Sequence, residues 1–158
     1  MNEVAEFLEN LKDRVGSELG ATPWFTINQT MADVFGHLTG NPDPMHNDPK
    51  WGRQGPWGGT IAHGFNLLSL TARFWKEIGM PILTSDKMYS INYGLDRVRF
   101  TNPLRIDHPA RARVILNSVK KRTENSYLIK ITHIVEARGN EKPCMVAECM
   151  ILIVLNLE

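Results

Sequence analysis

The side chains with the most chemical capacity lie in one short segment, Gly40-Asn41-Pro42-Asp43-Pro44-Met45-His46-Asn47-Asp48. Two prolines stiffen a stretch that carries Asp43, His46 and Asp48, and stiffness serves a group that must be held in place. An imidazole exchanges protons near neutral pH, so His46 is the candidate general acid or base. Asp43 lies close enough in sequence to orient it or stabilise its charge. The same residues also fit a structural role, with Asp43 and Asp48 capping turns and His46 bonded to the backbone.

A second segment is Gly58-Gly59-Thr60-Ile61-Ala62-His63-Gly64-Phe65, directly before a long apolar helix. Glycines there allow close approach to the backbone. The first N–H groups of a helix lack internal partners, and with the helix dipole they favour negative charge. A thioester carbonyl becoming an enolate would suit that position. The bland alternative is a tight entry turn, with His63 a capping or core histidine. His46, Asp48 and His63 form no recognisable metal-ligand spacing, so no metal is expected. No Gly-x-Ser-x-Gly elbow and no Gly-rich phosphate loop occur.

The elements around these segments follow from periodicity. In residues 3–15, Val4, Phe7, Leu8, Leu11 and Val15 recur at helical spacing, and Gly16 and Gly20 end the helix. Residues 24–29 read as a strand. Thr30 is placed to cap a short helix to Leu38, residues 41–59 read as loop, and Asp48-Pro49 suits the start of a brief helix. Residues 62–78 read as one long helix that is apolar on most sides and therefore buried. Strands are expected at 88–93, 96–101, 109–119, 127–138 and 144–155, with turns at Glu124-Asn125 and Gly139-Asn140. In the fourth of these, Tyr127, Ile129, Ile131, His133 and Val135 share a face. The sum is an α+β domain in which an antiparallel sheet covers one long buried helix.

Charge and composition restrict the classes. The 158 residues carry 18 Lys plus Arg against 17 Asp plus Glu, a net charge of +1. That is unlike a nucleic-acid binder or a polybasic membrane-surface protein. No apolar run approaches the ~20 residues of a membrane span, and the acidic, amphipathic N-terminus is unlike a signal peptide. Cys144 and Cys149 would fall on opposite faces of one strand, roughly 16 Å apart, too far for a disulfide. A reduced, cytoplasmic setting is expected. From Arg97 to Arg122, eight cations (Arg97, Arg99, Arg105, Arg111, Arg113, Lys120, Lys121 and Arg122) face the single acid Asp107. Solvated strand faces account for them, and a polyanionic small ligand is the sharper possibility.

Three stretches then carry a family resemblance: LTGNPDPMHNDP at 38–49, GGTIAHGF at 58–65 and NYGLDRVRFTNPL at 92–104. Together, in this order, they resemble the MaoC-like dehydratase family and its NodN-like branch. The resemblance implies a hot-dog fold across the chain, a single domain over 1–158 with 1–20 as a helical extension. It implies a homodimer or dimer of dimers, an acyl-CoA ligand near the subunit interface, and no cofactor apart from the CoA of the substrate. The implied activity is (R)-specific hydration of a trans-2-enoyl-CoA or the reverse dehydration. The family motif Gly-Asp-x-Asn-Pro-x-His falls on Gly40 to His46. The family's histidine is then His46, its aspartate position holds Asn41, and its asparagine position holds Asp43. Gly64 matches the glycine whose N–H binds the thioester oxygen, with His63 beside it and Ser69 on the helix lining the pocket. An amide such as Asn41 is no base at neutral pH. Asp43 and His46 are therefore expected to act as the acid–base pair; a non-catalytic acyl-thioester binding protein and a thioesterase remain as alternatives.

Overall fold

Alternating apolar residues in the second half of the chain build a sheet, and the helices of the first half cover one face of it. The structure, a computed structural model, describes residues 3–80 and 86–156; residues 1–2 of the expected extension lie outside them. The elements are α1 (Glu3–Lys12), β1 (Glu18–Ala21), α2 (Gln29–Leu38), α3 (Pro44–Asn47), α4 (Pro49–Gln54), α5 (Gly64–Ser69), α6 (Thr71–Glu77), β2 (Met88–Phe100), β3 (Ala110–Thr123), β4 (Ser126–Ala137) and β5 (Met145–Leu155). The strands form one antiparallel sheet in the order β1-β3-β4-β5-β2. The expected α+β architecture of antiparallel sheet and covering helices is present.

The shared faces read from the sequence are the core faces. Tyr127, Ile129, Ile131, His133 and Val135 are buried, as are Met145, Ala147, Cys149, Ile153 and Leu155 on the neighbouring strand. Phe74 of α6 is fully buried between Phe25 and His133, with ring centroids 5.3 and 6.0 Å away. Burying an aromatic or branched aliphatic side chain stabilises by about 1.5–3 kcal/mol, so this layer holds helix and sheet together. Cys144 and Cys149 are both buried and free.

Several expectations change. The cap of α2 is Asn28 rather than Thr30, its side chain accepting the Met31 N–H at 2.9 Å. The long helix over 62–78 begins at Gly64 and is interrupted at Leu70. The Ser69 hydroxyl donates to the Asn66 carbonyl at 2.6 Å, and the Leu70 N–H bonds to Leu67 O, tightening the turn there. The helix is also less buried than its composition suggests, since Phe65 is 69% exposed. The expected strand over 24–29 reduces to an isolated bridge between Phe25 and Ala110, and pairing with β3 falls instead on β1. Short and lacking β-branched residues, β1 gave no strand signal. Finally, the two strands expected over 88–93 and 96–101 are one, β2; register shifts at Asn92/Gly94 and Leu95/Arg97 absorb the break in alternation.

His133 is a polar group in this core. Neither ring nitrogen has a hydrogen-bond partner among the described residues, and burial pushes its imidazole down to about 4. An unfolded histidine binds its proton near pH 6.5. The neutral core imidazole therefore contributes its full stability above about pH 6.5, and loses it as pH falls toward 4, by roughly 3 kcal/mol in all. Burial lowers His63 as well, which adds in the same direction. Urea midpoints measured from pH 7 to pH 4 are expected to fall steeply in the wild type and less steeply in His133→Leu.

Candidate functional site

The stiff segment of the sequence folds into two successive Asp-Pro helix starts. Asp43 caps α3, its Oδ1 accepting the Met45 N–H at 3.0 Å, with Pro44 in the first turn. Asp48 caps α4 in the same way, accepting from Lys50 N–H at 2.8 Å and Trp51 N–H at 3.2 Å. The alternative reading of Asp43 as a turn cap matches this geometry, although only Asp48-Pro49 is expected to start a helix and Asp43-Pro44 carries the same signal. Before them, α2 ends where Thr39 returns its hydroxyl to Phe35 O at 2.7 Å, and Gly40 takes φ +69° to turn the chain.

A polar network ties this segment down, and sequence reading did not find it. Gln29 donates to Asp33 Oδ1 and to His46 O, both at 2.8 Å, and accepts from the Thr60 hydroxyl at 2.6 Å. Asn47 donates to Ala32 O at 3.1 Å and to Asp33 Oδ1 at 3.0 Å. The bonds from Asn47 and Gln29 hold the Asp33 carboxyl below the usual carboxylate range. Gly36 packs against Asn47 so closely that a Cβ there would lie 2.7 Å from its Oδ1. Apart from the i,i+4 bond of Gln29 to Asp33, these hydrogen bonds run between residues 14 to 31 positions apart, so no local pattern marks the network as a whole.

His46 Nδ1 lies 2.8 Å from the Ile61 carbonyl oxygen. A carbonyl only accepts, so the neutral ring carries its proton on Nδ1 and its lone pair on Nε2. His63 Nε2 lies 3.2 Å from the Asn41 carbonyl, so its proton is on Nε2. Its Nδ1 is buried without a partner among the described residues. The two rings stack with centroids 3.8 Å apart at 30°. Burial, the largest influence on His63, keeps its pKa low and the ring neutral at pH 7.

A cavity of about 660 Å³ opens at this pair, lined by Phe35, Thr39, Asn41, His46, His63, Gly64, Phe65, Leu68 and Ser69. A smaller one of about 220 Å³ shares His46, His63 and Gly64 and continues along Phe100 to Leu104. Five of the six candidate site residues, Asn41, His46, His63, Gly64 and Ser69, thus meet at one place, Asp43 excepted. Asp43 lines neither cavity, because its carboxylate is turned back to cap α3. Asn41 lines the cavity beside His46, whereas Asp43 caps α3 outside both linings, and its charge acts on the neighbouring His63, opposing the effect of burial. The one N–H of neutral His63 goes to Asn41 O and is not directed at the cavity's open space. Gly64 does carry an N–H of the first helical turn, and a Cβ at this position would lie 2.8 Å from the Phe100 ring. Among the described residues, no group of three His, Cys, Asp or Glu is placed to hold a metal ion.

If Asp43 acts as a cap, an amide can replace its carboxylate. Asp43→Asn is expected to unfold within about 0.5 kcal/mol of the wild type, and Asp43→Ala to lose about 1 kcal/mol, read from urea midpoints.

Residues 10–137 match the family model described as the MaoC like domain. The chain is 34% identical over 147 residues to nodulation protein N of Rhizobium leguminosarum bv. viciae, covering 92% of this chain and 90% of that protein. It is 34% identical over 146 residues to 3-hydroxyacyl-thioester dehydratase Z of Mycobacterium tuberculosis, covering 92% and 95%. Among solved structures, the (R)-hydratase from A. caviae involved in PHA biosynthesis aligns with a TM-score of 0.68 at 18% identity, covering 90% of this chain and 96% of that one. The MaoC-like dehydratase from Rhodospirillum rubrum aligns with a TM-score of 0.70 at 16% identity, covering 91% and 94%. The sheet and helices are those of the hot-dog fold that these proteins share.

Proposed function

Because the chain belongs to the MaoC-like domain family, we propose that it hydrates a trans-2-enoyl thioester, or dehydrates the 3-hydroxyacyl thioester, with His46 as the acid–base residue. The observation that carries this reading is the bond from His46 Nδ1 to Ile61 O. It leaves the Nε2 lone pair for the cavity, beside Asn41 and the Gly64 N–H. In hydration, Nε2 takes a proton from a water held by the Asn41 amide. The water oxygen adds to C3, and the electron pair of the double bond moves onto the thioester oxygen, opposite the Gly64 N–H. The imidazolium then returns the proton to C2 as the enolate collapses. One base serves both proton transfers, which places them on the same face of the substrate.

Asn41 separates this mechanism from one with a carboxylate base, since the amide orients water without accepting its proton. It also favours a second reading, an acyl-thioester binding protein without turnover. Both readings are tested with a panel of trans-2-enoyl-CoA thioesters, following loss of the conjugated absorbance and release of free thiol in parallel. Hydration predicts loss of conjugation without thiol. His46→Ala is expected to lower kcat by about 10²-fold or more, and Asn41→Asp to raise it by about 10²-fold. Thiol release would indicate a thioesterase. Binding with no turnover by the wild type would favour the binding protein.

A homodimer is part of the same proposal. As the last strand of the sheet, β2 pairs, among the described residues, with β5 alone and exposes Tyr89, Ile91, Tyr93 and Leu95, each 43–48%. A long unpaired apolar edge is a template for a second chain, and a second copy would cover it. Relatives of this fold solved as complexes include ChsH1-ChsH2 of Mycobacterium tuberculosis. The wild type is expected to elute as a dimer in size-exclusion chromatography with light scattering, and Ile91→Lys to shift it toward monomer. No helix among the described residues is long and apolar enough to cross a membrane. Two free cysteines fit a reducing cytoplasmic setting.

A further inference from the structure

The basic residues between Arg97 and Arg122 separate once their partners are known. Arg111 and Arg113 bind Glu136 at 3.1 and 2.8 Å, and Arg113 also binds Glu18 at 2.9 Å. Arg122 lies over the Tyr93 ring at 5.2 Å. Arg99 donates to the adjacent Val98 carbonyl. Arg105 alone of this group lies across the second site segment.

Residues 60–62 pair with 104–106: Ala62 N–H bonds to Leu104 O at 2.8 Å, Ile106 N–H bonds to Thr60 O at 2.9 Å, and Ile61 faces Arg105 in an antiparallel bridge. The carbonyl of the same Ile61 anchors His46. From this register the Arg105 guanidinium lies on the Gly58-Gly59 main chain, donating to Gly58 O at 3.3 Å. A Cβ on Gly59 would lie 3.3 Å from its Nη2. The glycine pair therefore accommodates the guanidinium. Behind this turn, Gly52 of α4 packs directly on Gly59 and Thr60, so Arg53 leaves the helix beside the same turn. Arg105, Arg53 and Lys50 are exposed, and no carboxylate among the described residues pairs with any of them. The nearby Asp48 carboxylate accepts from two N–H groups of the α4 cap. The smaller cavity runs from His46 and Gly64 along Asn102, Pro103 and Leu104 to the residue before Arg105.

Resting on the thioester reading, we infer that Arg105, aided by Arg53, binds the phosphate of the thioester's carrier arm. An exposed, planar guanidinium without a carboxylate partner among the described residues, on the residue next to Leu104 of the cavity that starts at His46, is suited to a phosphate ester. That chemistry is common to coenzyme A and to the phosphopantetheine arm of an acyl-carrier protein. The smaller cavity then takes the arm, and the wider, more apolar cavity of Phe35, Phe65 and Leu68 takes the acyl chain.

The test compares Arg105→Ala, Arg105→Lys and the control Lys142→Ala on one enoyl group carried by N-acetylcysteamine, 4′-phosphopantetheine, coenzyme A and an acyl-carrier protein. Arg105→Ala is expected to raise KM for the phosphorylated carriers about tenfold, with kcat within about twofold. KM for the N-acetylcysteamine thioester is expected to stay unchanged, with partial recovery in Arg105→Lys and no effect in Lys142→Ala. A rise shared by phosphopantetheine and carrier-protein thioesters assigns the pantetheine phosphate; a rise confined to coenzyme A assigns its nucleotide phosphates. Equal effects on all four carriers, or none on any, would overturn the assignment. Calorimetric binding of coenzyme A and 4′-phosphopantetheine is measured on the same variants. If the wild type turns nothing over, weaker binding by Arg105→Ala supports the phosphate site while the hydratase reading fails. Unchanged binding, or no binding by the wild type, overturns the phosphate site.

Discussion

The contact on which the site depends is the hydrogen bond between His46 Nδ1 and the Ile61 carbonyl. A neutral imidazole has one N–H, and committing it to a fixed main-chain oxygen decides which nitrogen is the base. That decision needs the ring and the carbonyl held independently. Ile61 is held by its bridge to Arg105 and by the bond from its own N–H to Met45 O. The ring is held by the α3 cap, by Gln29 on the His46 carbonyl and by the stacked His63. Each part rests on a charge or dipole satisfied inside the fold, which is what orients a catalytic group at low reorganisation cost.

His63 illustrates how the same residue type takes another task in another environment. It is buried, its N–H binds Asn41 O, and it stacks on His46 with the ring planes 30° apart. A second cation beside His46 would oppose protonation of the base; burial keeps His63 neutral and removes that opposition. The contrast with His133 is one of place. Both are buried histidines, but His133 faces an apolar core and lines no described cavity.

Much of this was legible in the residues. The core faces of β4 and β5 follow from period-two alternation, and the Asn41–His46 and His63–Gly64 segments do meet. What local patterning could not show was direction. Closeness in sequence to His46 suggests Asp43 as a catalytic partner, yet with a Pro at the next position it is a helix cap whose carboxylate is committed to the Met45 N–H. Asn41, which looked like a lost function, lines the cavity instead. The network of Gln29, Asp33, Asn47 and Thr60 is not legible locally because the bonds that tie α2 to Asn47 and Thr60 join distant segments. Leu70 and β1 depended on a side-chain-to-backbone bond and on tertiary pairing, neither of which hydrophobic period reports.

¹⁵N NMR of histidine-labelled protein above pH 7.5 reads the protonation geometry of His46 directly, with His46→Gln supplying the assignment. The neutral His46 ring is expected to be protonated on Nδ1 and bare on Nε2, and the His63 ring to be the opposite tautomer, protonated on Nε2. A His46 ring protonated on Nε2, or one averaging between both tautomers, would mean that the Ile61 carbonyl does not hold it and that Nε2 is not the fixed base.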